Sequence, residues 1–376
     1  MKAVLVEHDL LTAYGHGIDA AWSGLLSRQT AVRPVARFPT GAFTSHVAAT
    51  LDVLDPGRRD SLCGQMLRLV LDPARLRIPR DAFVLLATTV GEIDLLERSL
   101  LGGDGRPEDS APARLLEKVC ALCGTRGDGM VISAACASSG AALAQAAALI
   151  RDGRADGVLV VACDSVTEFV FSGFSSLMAL DSHAARPFDR RRRGLSLGEA
   201  AAAALLMSEE RARREGRRVA AAVAGWGLSN DANHMTGPSR DGSGLAAALR
   251  QALHSAGVAA SDIAFISAHG TGTPYNDAME LKAFKQVFTA RPLPTYSVKG
   301  AIGHTLGAAG LVETLIALHA LRAGRIPSTV NLAEVDDAAA GWAAAAPVAV
   351  SGRHAAIVNA GFGGINSALV ISREET

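Results

Sequence analysis

The strongest constraint on the fold is a set of short apolar runs with no polar alternation: AFVLLATTV at 82–90, GMVISAA at 129–135, GVLVVAC at 157–163 and AAALLM at 202–207. Strands of this kind have no polar face and need cover on both sides, as in α/β proteins. Ala- and Leu-rich helical stretches lie between them. The rhythm restarts after residue 215 with VAAAVAGWGLS, DIAFISAHG (262–270), the helix NDAMELKAFKQVF, the strand PTYSV, the helix GAAGLVETLIALHALRAG and the closing HAAIVNAGFGGINSALVIS. Two α/β units of similar size are expected, 1–218 and 219–376. No low-complexity linker separates them, and 208-SEERARREGRR-218 reads as a solvated helix, so the halves are expected to share a core.

The chain has 376 residues, more than one average domain. Its 37 Lys+Arg balance 37 Asp+Glu, which gives no support to a nucleic-acid or membrane-surface role. No apolar run reads as long enough to span a membrane, and the start, MKAVLVEHDLL, breaks off too early for a secretory signal; a cytoplasmic location is expected. Five cysteines are an odd set that reads as free thiols. Cys120-x-x-Cys123 lacks a second pair at zinc-site spacing and reads as helix packing.

The stretch 131-VISAACASSGAAL-143 puts Cys136 at a strand-to-helix junction, where free N–H groups and the helix dipole favour a thiolate. Its small neighbours would let a substrate reach the sulfur. Taken alone, the stretch fits a packed thiol better, because free cysteines are usually buried. Downstream, 268-AHGTGTPYND-277 and 298-VKGAIGHTLGAAG-310 each read as a histidine leaving a strand for a Gly-rich loop. His269 and His304 thus lie beyond strand C-terminal ends, where α/β folds build sites, and could supply paired donors beside a nucleophile. The run 189-DRRRR-193 reads as an exposed loop or as a landing point for an acidic partner.

These residues carry a resemblance. The Cys136 segment, AHGTGTP, GHTLGAAG, 186-RPFD-189 with 198-GEA-200, 231-DANHMTGP-238 and 361-GFGGIN-366 match in order blocks of the β-ketoacyl-ACP synthases, over most of the chain. A histidine in GHTLGAAG resembles the Cys-His-His elongating enzymes, including short ketosynthases of type II polyketide and aryl-polyene pathways.

The resemblance implies a thiolase-like fold of two pseudo-duplicated halves with layered αβαβα architecture. It implies Cys136 as acyl acceptor, His269 and His304 as donors to a malonyl thioester, and Lys299, with Glu313 supporting it, as the site's electrostatic anchor. Phe362 between Gly361 and Gly363 would be both oxyanion donor and gate, Thr271 and Thr273 would bind phosphopantetheine, and His234 would line the tunnel. No metal or resident cofactor is implied; substrates would arrive on the 4'-phosphopantetheine of an acyl carrier protein. The implied reaction is decarboxylative condensation, in a homodimer or in a heterodimer with a chain-length-factor-like partner. Two alternatives stay open: acyl transfer or thioester cleavage without extension, and a non-catalytic chain-length-factor-like subunit. The chain departs from the family in its shortened N-terminal region, in GEAA, and in Ala360 and Ile365 around GFGG.

Overall fold

In the computed structural model, which describes residues 1–103 and 105–374, ten main strands form one continuous sheet. They are β1 (Ala3–Thr12), β2 (Phe83–Ala87), β3 (Gly129–Ile132), β4 (Gly157–Asp164), β5 (Ala200–Ser208), β6 (Ala221–Asn230), β7 (Ile263–Ser267), β8 (Thr295–Tyr296), β9 (His354–Gly361) and β10 (Ile365–Arg373). A two-residue strand, Gly15–His16, pairs off β1. The spatial order is β8-β7-β9-β10-β6-β1-β5-β4-β2-β3. From β1 outward, β5 and β4 join antiparallel and β2 and β3 parallel. From β6 outward, β10 and β9 join antiparallel and β7 and β8 parallel, the same sequence of pairings. The two sets meet only where Val4 and Leu5 face Ala222 and Ala221.

Among the described residues, eleven α-helices accompany the sheet: α1 (Ile18–Ser27), α2 (Leu62–Val70), α3 (Ile93–Leu100), α4 (Pro112–Cys123), α5 (Ser138–Arg151), α6 (Glu168–Ser176), α7 (Glu209–Arg214), α8 (Ser243–Ala256), α9 (Pro274–Val287), α10 (Lys299–Ile302) and α11 (Ala309–Ala323). Alternation along each strand sorts them into layers. Val158, Val160 and Ala162 of β4 share a core with Ala355 and Ile357 of β9 and with the helices α5 and α11. The intervening Leu159, Val161 and Cys163 pack on α2 and α4. Ala356 and Val358 of β9 pack on α8 and α9. The result is helix, sheet, helix, sheet, helix, with α5 and α11 in the middle layer.

Three expectations need correction. The apolar runs at 82–90 and 129–135 outlast their strands, because residues 88–91 and 133–137 turn away from the sheet toward buried partners. His304 does not leave a strand directly: β8 has two residues, and α10 intervenes before Gly303, at φ 69°, turns the chain. One segment, Leu306–Ala323, is long and apolar enough to cross a membrane by length and composition, contrary to the sequence reading. It is apolar all round because it sits between two layers, with 83% of the segment buried. All five cysteines are free, and Cys120 and Cys123 lie one turn apart on α4.

Candidate active site

The site exists because the N-termini of α5 and α11 meet. A Cβ on Gly310 would stand 2.7 Å from the backbone nitrogen of Gly140, and one on Gly140 would stand 2.4 Å from Ser367 Oγ. Only glycine allows that approach. The Leu311 N–H donates to Ser139 Oγ at 2.9 Å across the same crossing. The residues leading into the two helices, Cys136 and His304, are thereby brought together from 168 positions apart in sequence.

Cys136 sits one residue before the N-cap of α5, after Ala135, whose φ of 47° marks a tight turn. Ser138 Oγ fixes that turn, accepting from the Ala134 N–H at 2.8 Å and donating to the Ala135 carbonyl at 2.6 Å. The thiol is 5% exposed. Burial pushes it up to about 11, while the Phe362 N–H, the Lys299 charge and its own N–H favour the thiolate.

His269 lies two residues past β7. Its N–H and that of Gly270 donate to the two oxygens of Glu280, each at 2.7 Å, and Asn276 Nδ2 adds a third donor at 2.8 Å. Burial and the neighbouring Asp277 raise Glu280 to about 8, against the pull of its donors. Asp277 accepts from Phe188 N–H at 2.8 Å and Gly272 N–H at 3.2 Å. These two carboxylates, on the first turns of α9, shape the loop that carries His269, Thr271 and Thr273. The two threonine hydroxyls are 2.9 Å apart and line the pocket.

His304 is held by its backbone, with N–H donating to Ser196 O at 2.7 Å and C=O accepting from Gly198 N–H at 3.0 Å. Its ring stands edge-on to that of His269, centroids 5.1 Å apart. One ligand atom each of Cys136, His269 and His304 lies within 4.8 Å of the others. Burial, reinforced by the Lys299 charge, holds both imidazoles well below the ordinary histidine range, so they are neutral. Neither Nδ1 has a hydrogen-bond partner. Lys299 is itself buried and paired with Glu313, whose second oxygen accepts from Asn359 Nδ2 at 2.7 Å.

The loop Gly361–Gly364 closes the site. A Cβ on Gly361 would lie 3.2 Å from Cys136 N, and Gly363 and Gly364 adopt φ of 83° and 77°. Phe362 stacks on Phe174 at 5.6 Å and lines the pocket. That pocket, about 630 Å³, runs from Cys136, His269 and His304 to a rim that includes Met178, Arg193, Arg240 and Tyr275. His234 is on the wall, its Nδ1 accepting from Thr236 N–H and Gly237 N–H.

The arginine run is less available than its sequence suggests. Arg190 pairs with Asp337, Arg191 with Glu334 and Arg192 with Asp336. Sequence reading missed four buried polar residues that build the site: Asp164, Asp277, Glu280 and Asn359. The carboxylates one and two turns after HGTGT, and an aspartate ending an all-apolar strand, were the available signals.

The sequence profile described as "Beta-ketoacyl synthase, N-terminal domain" matches residues 112–212, and "Beta-ketoacyl synthase, C-terminal domain" matches 220–333. The tetracenomycin polyketide synthase ketoacyl synthase alpha subunit of Streptomyces glaucescens is 32% identical, over 96% of this chain and 94% of the relative. The 3-oxoacyl-[acyl-carrier-protein] synthase 2 of Vibrio cholerae is 28% identical, over 99% of each. Among solved structures, the ishigamide ketosynthase/chain length factor superposes with TM-score 0.89 at 31% identity, covering 100% of this chain and 99% of the other. A type II ketosynthase in complex with its acyl-carrier protein, AntDE:AntF, gives TM-score 0.88 at 25% identity, covering 99% of each. With its thiolase-type fold and matches spanning nearly its whole length, the chain belongs to the β-ketoacyl synthase family of acyltransferases.

Proposed function

We propose that the protein is a β-ketoacyl-[acyl-carrier-protein] synthase that extends a Cys136-bound acyl chain with malonyl units, in fatty-acid or type II polyketide or polyene synthesis. The observation that carries this reading is the convergence of one thiol and two neutral imidazoles at the buried end of a 630 Å³ pocket. In the first stage the Cys136 thiolate attacks a carrier thioester. The backbone N–H groups of Cys136 and Phe362 stabilise the tetrahedral oxyanion, and the carrier thiol leaves.

In the second stage a malonyl thioester enters. His269 and His304 donate to its carbonyl oxygen, where negative charge grows as CO2 departs, so the donors favour the transition state over the ground state. The resulting carbanion attacks the acyl-cysteine carbonyl, forming the new C–C bond and expelling the Cys136 thiolate. Neutral histidines suit this role, because an N–H donor is needed and a positive charge is not. Lys299, neutralised by Glu313, would orient the site. Thr271 and Thr273 would bind the phosphopantetheine arm, and Phe362 would swing between the acyl and malonyl stages. Substrates would come on the carrier's phosphopantetheine, with no resident metal or organic cofactor.

Two partners follow from this reading, in a soluble, cytoplasmic protein. The carrier is acidic, and Arg193 and Arg240 sit at the pocket rim with no carboxylate partner among the described residues, whereas Arg190 to Arg192 are matched within the chain. A second ketosynthase-like chain, identical or of the chain-length-factor type, would pair along β3, the sheet's end strand, where Met130 is 41% exposed. The non-catalytic subunit reading is not favoured, because Cys136, His269, Lys299 and His304 are all in place.

The test is to load the enzyme with an acyl group, add malonyl-carrier, and analyse the products by mass spectrometry. A β-ketoacyl-carrier two carbons longer is expected. Acyl transfer without extension would defeat the proposal. Reversal at Arg193 and Arg240 is expected to raise KM for the carrier-borne substrate and to leave turnover of a minimal pantetheine thioester unchanged.

A further inference from the structure

We propose that Cys136, His269 and His304 also form a three-ligand site for a soft divalent cation of the zinc class, which closes the enzyme reversibly. One sulfur and two imidazoles with an open fourth position is a donor set that zinc accepts at catalytic-type sites. It contains no carboxylate, so magnesium and calcium have no reason to prefer it. The ligand atoms already lie within 4.8 Å of one another. Tetrahedral zinc, with Zn–S about 2.3 Å and Zn–N about 2.0–2.1 Å, places its ligand atoms about 3.3–3.6 Å apart, so closure needs side-chain movement of only about 1 Å.

No hydrogen bond to either Nδ1 among the described residues opposes such a turn. Neither Nδ1 has a hydrogen-bond partner, and the two rings meet nearly at right angles, 87°, rather than stacking. The pocket gives the ion an entry path and leaves its fourth position for water. Two features limit affinity and make the site reversible. Among the described residues no carboxylate or carbonyl accepts from either Nδ1, as happens around tight zinc sites. The Lys299 charge opposes a second cation, although Glu313 pairs with it.

The exchange balances simply. Hydrated zinc loses waters, one Zn–S and two Zn–N bonds form, and the Cys136 proton goes to solvent with no oxidation or reduction. The metal site stands on geometry alone; the inhibition it causes rests on the acyl-acceptor role proposed for Cys136.

The experiment uses the intact, metal-free protein and zinc chloride as the probe. Alkylation of Cys136 by iodoacetamide is followed by mass spectrometry with and without zinc. At about ten times the dissociation constant, alkylation is expected to slow about tenfold, because only unliganded enzyme reacts. A chelator should restore the rate. His269→Ala and His304→Ala should each remove the protection, with thermal denaturation confirming that they fold. Cobalt(II) gives an independent reading on the unmodified chain: a thiolate-to-cobalt charge-transfer band with a tetrahedral visible spectrum is expected. Unprotected alkylation, protection that survives in both folded histidine variants, or an octahedral cobalt spectrum without the band would each overturn the site. Failure of condensation in the metal-free enzyme would instead defeat the proposed function and leave the metal site untouched.

Discussion

The two halves of the molecule route the chain identically and furnish the same three strand ends differently. Cys136 follows β3 and leads into α5; His304 follows β8 and leads into α11, the corresponding place in the repeat. After β2 the N-terminal half has the turn 88–91, and after β7 the C-terminal half has His269 to Thr273. At the end of β4 stands Asp164, and near the end of β9 stands Asn359. In the C-terminal half His304 and the His269–Thr273 loop line the pocket, while Asn359 lies behind it and donates to Glu313. In the N-terminal half two of the three are bound to each other. Asp164, fully buried, accepts from Thr88 Oγ1 at 2.7 Å, Thr89 N–H at 2.9 Å and Val90 N–H at 3.3 Å, and then from Gly307 N–H of the other half at 2.7 Å. Duplication thus supplies positions, and the side chains decide which of them act and which brace.

This division can be broken most sharply at the two equivalent helix entries. Cys136→Ala is expected to abolish acyl loading and extension together, by on the order of 10³-fold or more. His304→Ala should lose extension by a comparable factor yet still load acyl groups; single-turnover assays of the two stages read this directly. Parallel loss of both stages in His304→Ala would mean that the histidine is not confined to the malonyl step.

The bracing role of Asp164 is next in size. Burial raises its carboxyl above the ordinary range, yet its oxygens accept four donors, so the ionised form is the one that fits. Asp164→Asn turns an acceptor into a donor facing N–H groups and should cost about 3 kcal/mol, measured by urea denaturation. An unchanged denaturation midpoint would remove the brace from the comparison.

The glycine crossing sets a smaller but more local effect. Gly310→Ala drives a Cβ against the Gly140 backbone and should destabilise by about 1–3 kcal/mol. It should also slow Cys136 alkylation by displacing the α5 N-terminus. Normal stability and reactivity would show that the helices have room to separate.

The smallest effects are those of pH. With the thiol at about 11, Cys136 alkylation should rise about tenfold per unit between pH 7 and 9. Both histidines have folded values depressed below the ordinary 6.5, so the unfolded chain binds more protons below that value. Their contribution to stability is present above pH 6.5 and is lost as pH falls through the depressed values. Replacing each histidine with glutamine should flatten that acid limb in a denaturation series.

Legibility in the sequence followed the kind of interaction involved. Apolar strands announced an α/β fold because strands buried on both faces leave a local compositional trace. Cys136 and His304 could be singled out as candidates because glycine and alanine clusters flank them, although the Cys136 stretch alone reads as a packed thiol. Glu313 could be named beside Lys299 only through family likeness. Asp164, Asp277, Glu280 and Asn359 went unread because nothing local distinguishes a buried hydrogen-bond acceptor from a surface one. The internal pairing of the arginine run was hidden for the same reason: its matching acids lie at residues 334–337, more than 140 positions away.

By itself, then, the sequence determined the strand-helix rhythm and the residue types able to supply a thiol and two imidazoles. Only the tertiary structure decided that they meet. The meeting depends on the close approach of Gly140 and Gly310 between two layers of sheet, and on buried carboxylates that hold the loops around it. Both are relations between distant segments, and no local stretch of chain encodes a distance to another.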